Sequence, residues 1–166
     1  MLDLGSLQTS FKGDLCTPDH PDYEQAIVRW ANNAQKRAQV VAFVKDAPDV
    51  ALAIAYAREN KLQIAIRGGA HSTAGASSSE GLVIDLSRYM RTVTVDAEKR
   101  LAYVGGGAVW GDVDSATIPH GLATAAGTVN HVRCLAVSFS LLLTPITDWS
   151  WRVGILVFIF DGRISR

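Results

Sequence analysis

The chain has 166 residues, 48% of them hydrophobic and 19% charged, which is ordinary for a soluble globular protein and long enough for one domain with a core. Sixteen basic residues balance sixteen acidic ones, and no basic stripe interleaved with aromatics occurs, so the electrostatic footprint of a nucleic-acid binder is missing. Two cysteines, Cys16 and Cys134, are too few for a disulfide framework and lack metal-ligand spacing, and both read as free thiols.

The N-terminus, Met1-Leu2-Asp3-Leu4-Gly5, lacks the basic start and apolar core of a secretory signal, so a cytoplasmic location is expected. Residues 1–20 are mixed and turn-rich and read as an N-terminal extension, ending in the helix entry Thr17-Pro18-Asp19-His20-Pro21. A helix is expected over about 22–35, with Tyr23, Ile27, Trp30 and Ala34 on one face, where the aromatic pair reads as packing and not as a stacking site. His20 reads as a surface turn residue. Val40-Val41-Ala42-Phe43-Val44 is a short apolar run bounded by turn chemistry, the pattern of a buried strand. Asp46-Ala47-Pro48-Asp49 caps the next helix: Asp46 can accept from free first-turn amides, Pro48 sits where no donor is lost, and Asp49 suits the positive end of the dipole. That helix runs to Arg58 and Lys61, and the next strand covers Gln63 to Ile66. Strand, helix and strand within residues 40–66 predict a right-handed crossover with a parallel pair.

From the end of that second strand leaves Arg67-Gly68-Gly69-Ala70-His71-Ser72-Thr73-Ala74-Gly75. Small residues at 68, 69, 70 and 75 let backbone amides turn inward and approach an anion closely, as a pyrophosphate requires. Ligands in α/β sheets favour this strand end. The plainer reading is a loop between strands whose histidine is only hydrogen-bonded. If position 70 needs a positive φ, its alanine costs roughly 1 kcal/mol. Ser77-Ser78-Ser79-Glu80-Gly81 reads as a flexible connection, and Leu82-Val83-Ile84-Asp85-Leu86 as another buried strand. Thr92–Val95 and Leu101–Val104 flank the polar turn Asp96-Ala97-Glu98-Lys99-Arg100, a hairpin signal.

A second glycine cluster, Gly105-Gly106-Gly107-Ala108-Val109-Trp110-Gly111, also follows a strand and opens a helix, the context of a Rossmann nicotinamide site. The spacing fails. Trp110 occupies the third glycine position, where an indole would block helix–strand packing, and the region about twenty residues on holds Asn130 and His131 in place of an acid. The last small-residue stretch is His120-Gly121-Leu122-Ala123-Thr124-Ala125-Ala126-Gly127-Thr128-Val129-Asn130-His131. His120 and His131 show no third ligand at metal spacing and read as helix-end histidines.

Together these stretches resemble the FAD-binding domain of the vanillyl-alcohol oxidase and p-cresol methylhydroxylase (PCMH) superfamily, in its berberine-bridge-enzyme-like branch. There the first loop reads Arg-Gly-Gly-Gly-His-Ser/Asn, and Arg67, Gly68, Gly69, Ala70 and His71 match it, with Ala70 in place of the third glycine. The strand Val83-Ile84-Asp85-Leu86-Ser87 and the junction Gly106-Gly107-Ala108-Val109-Trp110-Gly111-Asp112-Val113 are also in the family's style. Residues 120–131 resemble the second flavin-contacting loop, with Ala125-Ala126 replacing Pro-Gly. The resemblance implies an FAD-linked oxidoreductase that binds FAD through Arg67, Gly68, Gly69, Ala70, His71, Ser72, Gly75, Gly127, Thr128 and His131. His71 would carry the flavin covalently at its 8α position. Relatives with a second bond use a cysteine two residues after the glycine matching Gly127; Val129 stands there, so one bond is expected. The implied fold is α+β, a PCMH-type domain with a small parallel βαβ sheet over residues 40–86 and a second mixed or antiparallel sheet, FAD lying between them.

The resemblance covers residues 21–131, an incomplete FAD-binding domain. Residues 132–166 depart from the family pattern and read as a tail of foreign origin, from a retained intron or a shifted frame. Its apolar runs, Leu135 to Leu143 and Val153 to Phe160, are far short of the roughly 20 residues that span a bilayer. The expected partners are FAD and a small-molecule substrate, with no nucleic acid and no membrane. A second reading, a catalytically inactive flavin-binding remnant, follows because the family's substrate domain and catalytic base come largely from the half this chain does not match.

Overall fold

Residues 3–124, 129–132 and 155–159 are described by the computed structural model, and they belong to two units, Met1–Tyr89 and Met90–Arg166. The architecture is α+β, as the resemblance implies.

In the first unit the apolar runs become strands β2 (Val40–Phe43) and β4 (Leu82–Asp85), buried at every position, and β3 (Ile64–Arg67). The predicted helix is α3 (Ala47–Glu59). The Asp46 side chain accepts from the Asp49 amide, and Pro48 stands in the first turn. The Asp49 carboxylate does more than face the dipole: it is buried and accepts the backbone amides of Lys12 at 3.0 Å and Lys45 at 2.9 Å. The crossover connects parallel strands, but they are not neighbours. β4 lies between β2 and β3, parallel to both, an inner place that suits its burial at every position. A strand that the sequence reading missed, β1 (Asp14–Cys16), pairs antiparallel with β2 and closes that edge; a short helix, α1 (Gly5–Gln8), precedes it. Residues within the turn-rich N-terminal stretch thus belong to the first sheet.

One sheet face packs Val41, Phe43, Val83 and Ala65 against Tyr23, Ala26 and Ile27 of helix α2 (Tyr23–Ile27). This helix stops at Ile27, well short of the expected residue 35. Val28 has extended ψ (137°), and the amide of Trp30 donates to the Ala70 carbonyl at 3.2 Å in place of Ala26. Beyond the break Ala34 is buried in a 3-10 turn, while Trp30 is 69% exposed, so its expected packing role does not hold. The serine connection is not loose either. Ser77, Ser78 and Ser79 are buried, and Ser79 Oγ donates to the Gln63 carbonyl while accepting from the Gly81 amide. A Cβ on Gly81 would come within 2.5 Å of that carbonyl, so this approach admits only glycine.

In the second unit the predicted hairpin forms from β5 (Val93–Asp96) and β6 (Leu101–Gly105), and β7 (Ile155–Ile159) pairs antiparallel on the far side of β6. Helix α4 (Trp110–Thr117) follows the glycine cluster. Gly105 is needed for packing: a Cβ there would lie 2.4 Å from the Met90 carbonyl. Trp110 is buried with Ala102, Val104, Ala108, Val113 and Leu122 and fills the core of this unit. The Asp112 carboxylate accepts from the Val109 amide at the helix start and pairs with Arg91 at 2.8 Å. Cys16 is a buried free thiol. Cys134 and the apolar run 135–143 lie outside the described residues, among which no helix is long and apolar enough to cross a membrane.

Candidate functional site

β3 ends at Arg67, at the carboxyl end of the three parallel strands, and the glycine loop leaves there. Ala70 has φ 58°, the left-handed value at which an alanine is strained, and Gly75 has φ 80°. Closure is local: the Gly75 amide donates to the Ser72 carbonyl at 3.4 Å, the Ala76 amide to Ser72 Oγ at 3.2 Å, and the Ser78 amide to the Gly75 carbonyl at 2.9 Å. Asn33 Nδ2 donates to the Thr73 carbonyl from outside the loop. Gly68, Gly69, His71 and Ser72 are half-buried, and Ala70 is buried.

Beneath the loop lies a charge cluster. Arg67 stands directly opposite Asp85 in the β3–β4 register, and its guanidinium is 2.8 Å from that carboxylate. Its Nη1 also donates to the Ala26 carbonyl at 2.7 Å. Its Nη1 is thus committed to the protein, which leaves Arg67 its backbone, its Nε and its charge to offer a ligand. Arg29, which the sequence reading passed over, is fully buried; its guanidinium donates twice to the Ser77 carbonyl, at 3.0 and 2.7 Å, and to the carbonyls of Ala26, Ile27 and Val28. Those last are the orphan carbonyls of helix α2, so two cations cap its negative end. Burial pulls the Arg29 guanidinium down to about 10, the charge of Arg67 acts in the same direction, and Asp85 opposes both. Two arginines face one carboxylate. The signal in the sequence was Asp85 itself, since a carboxylate inside an apolar strand requires a buried cationic partner.

Three polar groups in this segment are buried without a hydrogen-bond partner: Arg67 Nε, Ser77 Oγ and Ser78 Oγ. All can donate. A surplus of buried cation, unspent donors and a loop turned by left-handed residues suit an anionic group, and the diphosphate of a dinucleotide is one. His71 stands at the middle of the loop, its ring centroid 6.0 Å from that of Trp30 with the planes at 32°. The structure therefore brings Arg67 through Gly75 together. His131 is exposed in the second unit, after the Asn130 whose carbonyl accepts from the Gly111 amide. Gly127 and Thr128 lie outside the described residues. His120 is exposed at the end of a 3-10 turn, before Gly121 at φ 64°.

The sequence matches the FAD binding domain family over residues 38–135, which includes this loop. The chain belongs to that family. An FAD-linked oxidoreductase of Aspergillus fumigatus is 40% identical over 127 residues, covering 76% of this chain and 26% of its own length. The crystal structure of 6-hydroxy-D-nicotine oxidase from Arthrobacter nicotinovorans superposes with a TM-score of 0.72 at 30% identity, covering 75% of this chain and 28% of that one. A berberine-bridge-enzyme-like protein of Physcomitrella patens shares the fold, with a TM-score of 0.72 at 19% identity over 80% of this chain and 29% of that one. The chain thus spans little more than a quarter of the length of the relatives it matches.

Proposed function

We propose that this chain is the flavin-binding portion of an FAD-linked oxidoreductase, with the backbone amides of residues 67–72 around the FAD diphosphate and His71 covalently attached to the flavin. The observation that carries the reading is the loop at the carboxyl end of β3, turned by Ala70 and Gly75 over a buried cluster with more cation than anion. Arg67 and Arg29 supply charge from below, and Ser72 and Gly75 close the loop. Gly127, Thr128 and His131 are proposed as further flavin contacts. Once bound, the flavin would supply hydride acceptance from a small-molecule substrate and electron transfer to dioxygen.

With FAD bound, an imidazole nitrogen of His71 would form a C–N bond to the 8α carbon with loss of a C–H bond there and of the imidazole proton, and dioxygen would take up the two electrons and both protons as hydrogen peroxide.

Acid precipitation of the FAD-loaded protein tests the assignment, because a C–N bond survives unfolding. The flavin is expected to stay with wild-type polypeptide and to pass into the supernatant with His71→Ala, which still binds FAD because the amides do not use the imidazole. A wild-type protein that binds FAD tightly yet releases all of it in acid would refute the covalent assignment. A role for His71 as a loop hydrogen-bonding residue alone predicts a loss of about 1 kcal/mol of stability on mutation and no change in attachment. The reading as an inactive remnant is tested separately, by oxidase assays over a panel of sugars and alcohols, where any turnover by the chain alone eliminates it.

A further inference from the structure

Trp30 is the most exposed large aromatic among the described residues whose ring contacts the loop, and its setting does not suit a packing residue. Its neighbours in sequence are fixed: Ile27 is fully buried, and Arg29 is locked onto four carbonyls. The Trp30 amide is bonded to the Ala70 carbonyl, one residue before His71. Backbone and ring are therefore both tied to the loop, while 69% of the residue stays in solvent. An indole left exposed forfeits the burial that drives such a side chain inside. Ending helix α2 at Ile27 is what puts it there; a continued helix would have turned Trp30 into the core face with Tyr23 and Ile27.

Resting on the covalent reading above, we propose that Trp30 is a positioning residue for flavin attachment: its indole restricts the His71 ring to the orientation from which the imidazole nitrogen reaches the cofactor. The centroid separation of 6.0 Å and tilt of 32° lie in the range where aromatic rings attract one another. The contact is sequence-remote, and the Trp30–Ala70 hydrogen bond fixes its geometry at the backbone. Because the ring is exposed, replacing it removes the contact without opening a cavity. Phenylalanine keeps an aromatic face at the same place, whereas alanine does not.

The test measures the rate at which acid-stable flavin accumulates when the purified 166-residue chain is incubated with FAD and air, for wild type, Trp30→Ala and Trp30→Phe. Urea midpoints establish that all three are equally folded. Trp30→Ala is expected to slow attachment by roughly three- to tenfold, the population shift one aromatic pair can impose on a ring orientation. Trp30→Phe should restore most of the rate. The second readout uses the FAD-free chain: the imidazole proton resonances of His71 should move toward random-coil positions in Trp30→Ala as the ring current is lost. Attachment by Trp30→Ala at the wild-type rate overturns the inference and leaves the covalent reading intact. A wild-type chain that binds FAD tightly yet never acquires acid-stable flavin overturns both. Slowing by Trp30→Phe equal to that by Trp30→Ala also counts against it, since a positioning aromatic face would then be irrelevant.

Discussion

The charge cluster under the loop invites a substitution that changes charge and almost nothing else. Asp85→Asn keeps the size of the side chain and an oxygen for the Ser87 amide, which now donates to Asp85 Oδ1 at 2.7 Å. It removes the only carboxylate found against Arg67 and Arg29 among the described residues. Asp85 is completely buried and the Arg67 side chain is 17% exposed, so the pair is poorly screened. At 2.8 Å the attraction is about 6 kcal/mol for an effective dielectric of about 20, and the desolvation of both groups offsets much of it. What the mutant suffers is different: two guanidinia remain buried with only carbonyl dipoles against them, and breaking such a pair costs roughly 3–5 kcal/mol. Against a total stability of about 5–15 kcal/mol, that leaves the first unit marginal. Hydrogen exchange at the Leu86 amide, which bonds to the Arg67 carbonyl, reports this unit directly. Its protection should fall by the same free energy in Asp85→Asn, and the double variant Arg67→Met, Asp85→Leu should recover a substantial part. A loss below about 1 kcal/mol in Asp85→Asn would refute the reasoning, since an uncompensated buried cation cannot be that cheap.

Two further outcomes follow from single residues. At Ala70, glycine relieves about 1 kcal/mol of left-handed strain but gives up a buried methyl worth about 0.8 kcal/mol, so Ala70→Gly should change stability by less than about 1 kcal/mol. A β-branched residue cannot adopt φ 58° without strain, so Ala70→Val should be at least about 2 kcal/mol worse than Ala70→Gly by urea denaturation; equal stability would mean that the loop does not hold this conformation. At Asp14, hydrogen bonds from Tyr89 and Arg88 hold the carboxyl below its ordinary 3.8. A depressed folded value gives stability that is present above about pH 3.8 and lost as the pH falls through the folded value, so the difference in urea midpoint between wild type and Asp14→Asn should be flat at higher pH and close below it. A difference that widens on acidification would reverse the sign and exclude that pairing.

What was legible in the sequence was whatever depends on a residue and its near neighbours. Asp46, Pro48 and Asp49 announced the start of α3, the polar turn 96–100 announced the β5–β6 hairpin, and the small residues after Ile66 announced the loop that follows β3. The positive φ of Ala70 meets the condition raised for that position, where the resemblance has a glycine. Strand order was not legible. β2, β3 and β4 are all short, largely apolar runs, and which of them lies between the other two is decided by the pairing of whole strands, which no local pattern encodes. Nor was the burial of Ser77–Ser79 visible, because a serine run reads as solvated until a partner such as Arg29 is known to claim its carbonyl.

The early end of α2 shows why one such miss propagates to function. Helical periodicity placed Trp30 on the face of Tyr23 and Ile27, and no glycine or proline stands between Tyr23 and Trp30 to argue otherwise. The helix is ended by tertiary partners: the guanidinia of Arg29 and Arg67 take the Ala26 carbonyl that a fourth-residue amide would have used, and the amide of Trp30 turns to Ala70. Arg67 is also the residue that opens the loop, and Ala70 is its strained member. The same three contacts that stop the helix therefore set the loop against the segment carrying Trp30, and they carry the indole from the core to the side of His71. A single exchange, burial of one tryptophan for the fixed placement of another ring, is the local sacrifice expected if the loop forms the proposed site and packing alone does not shape the fold.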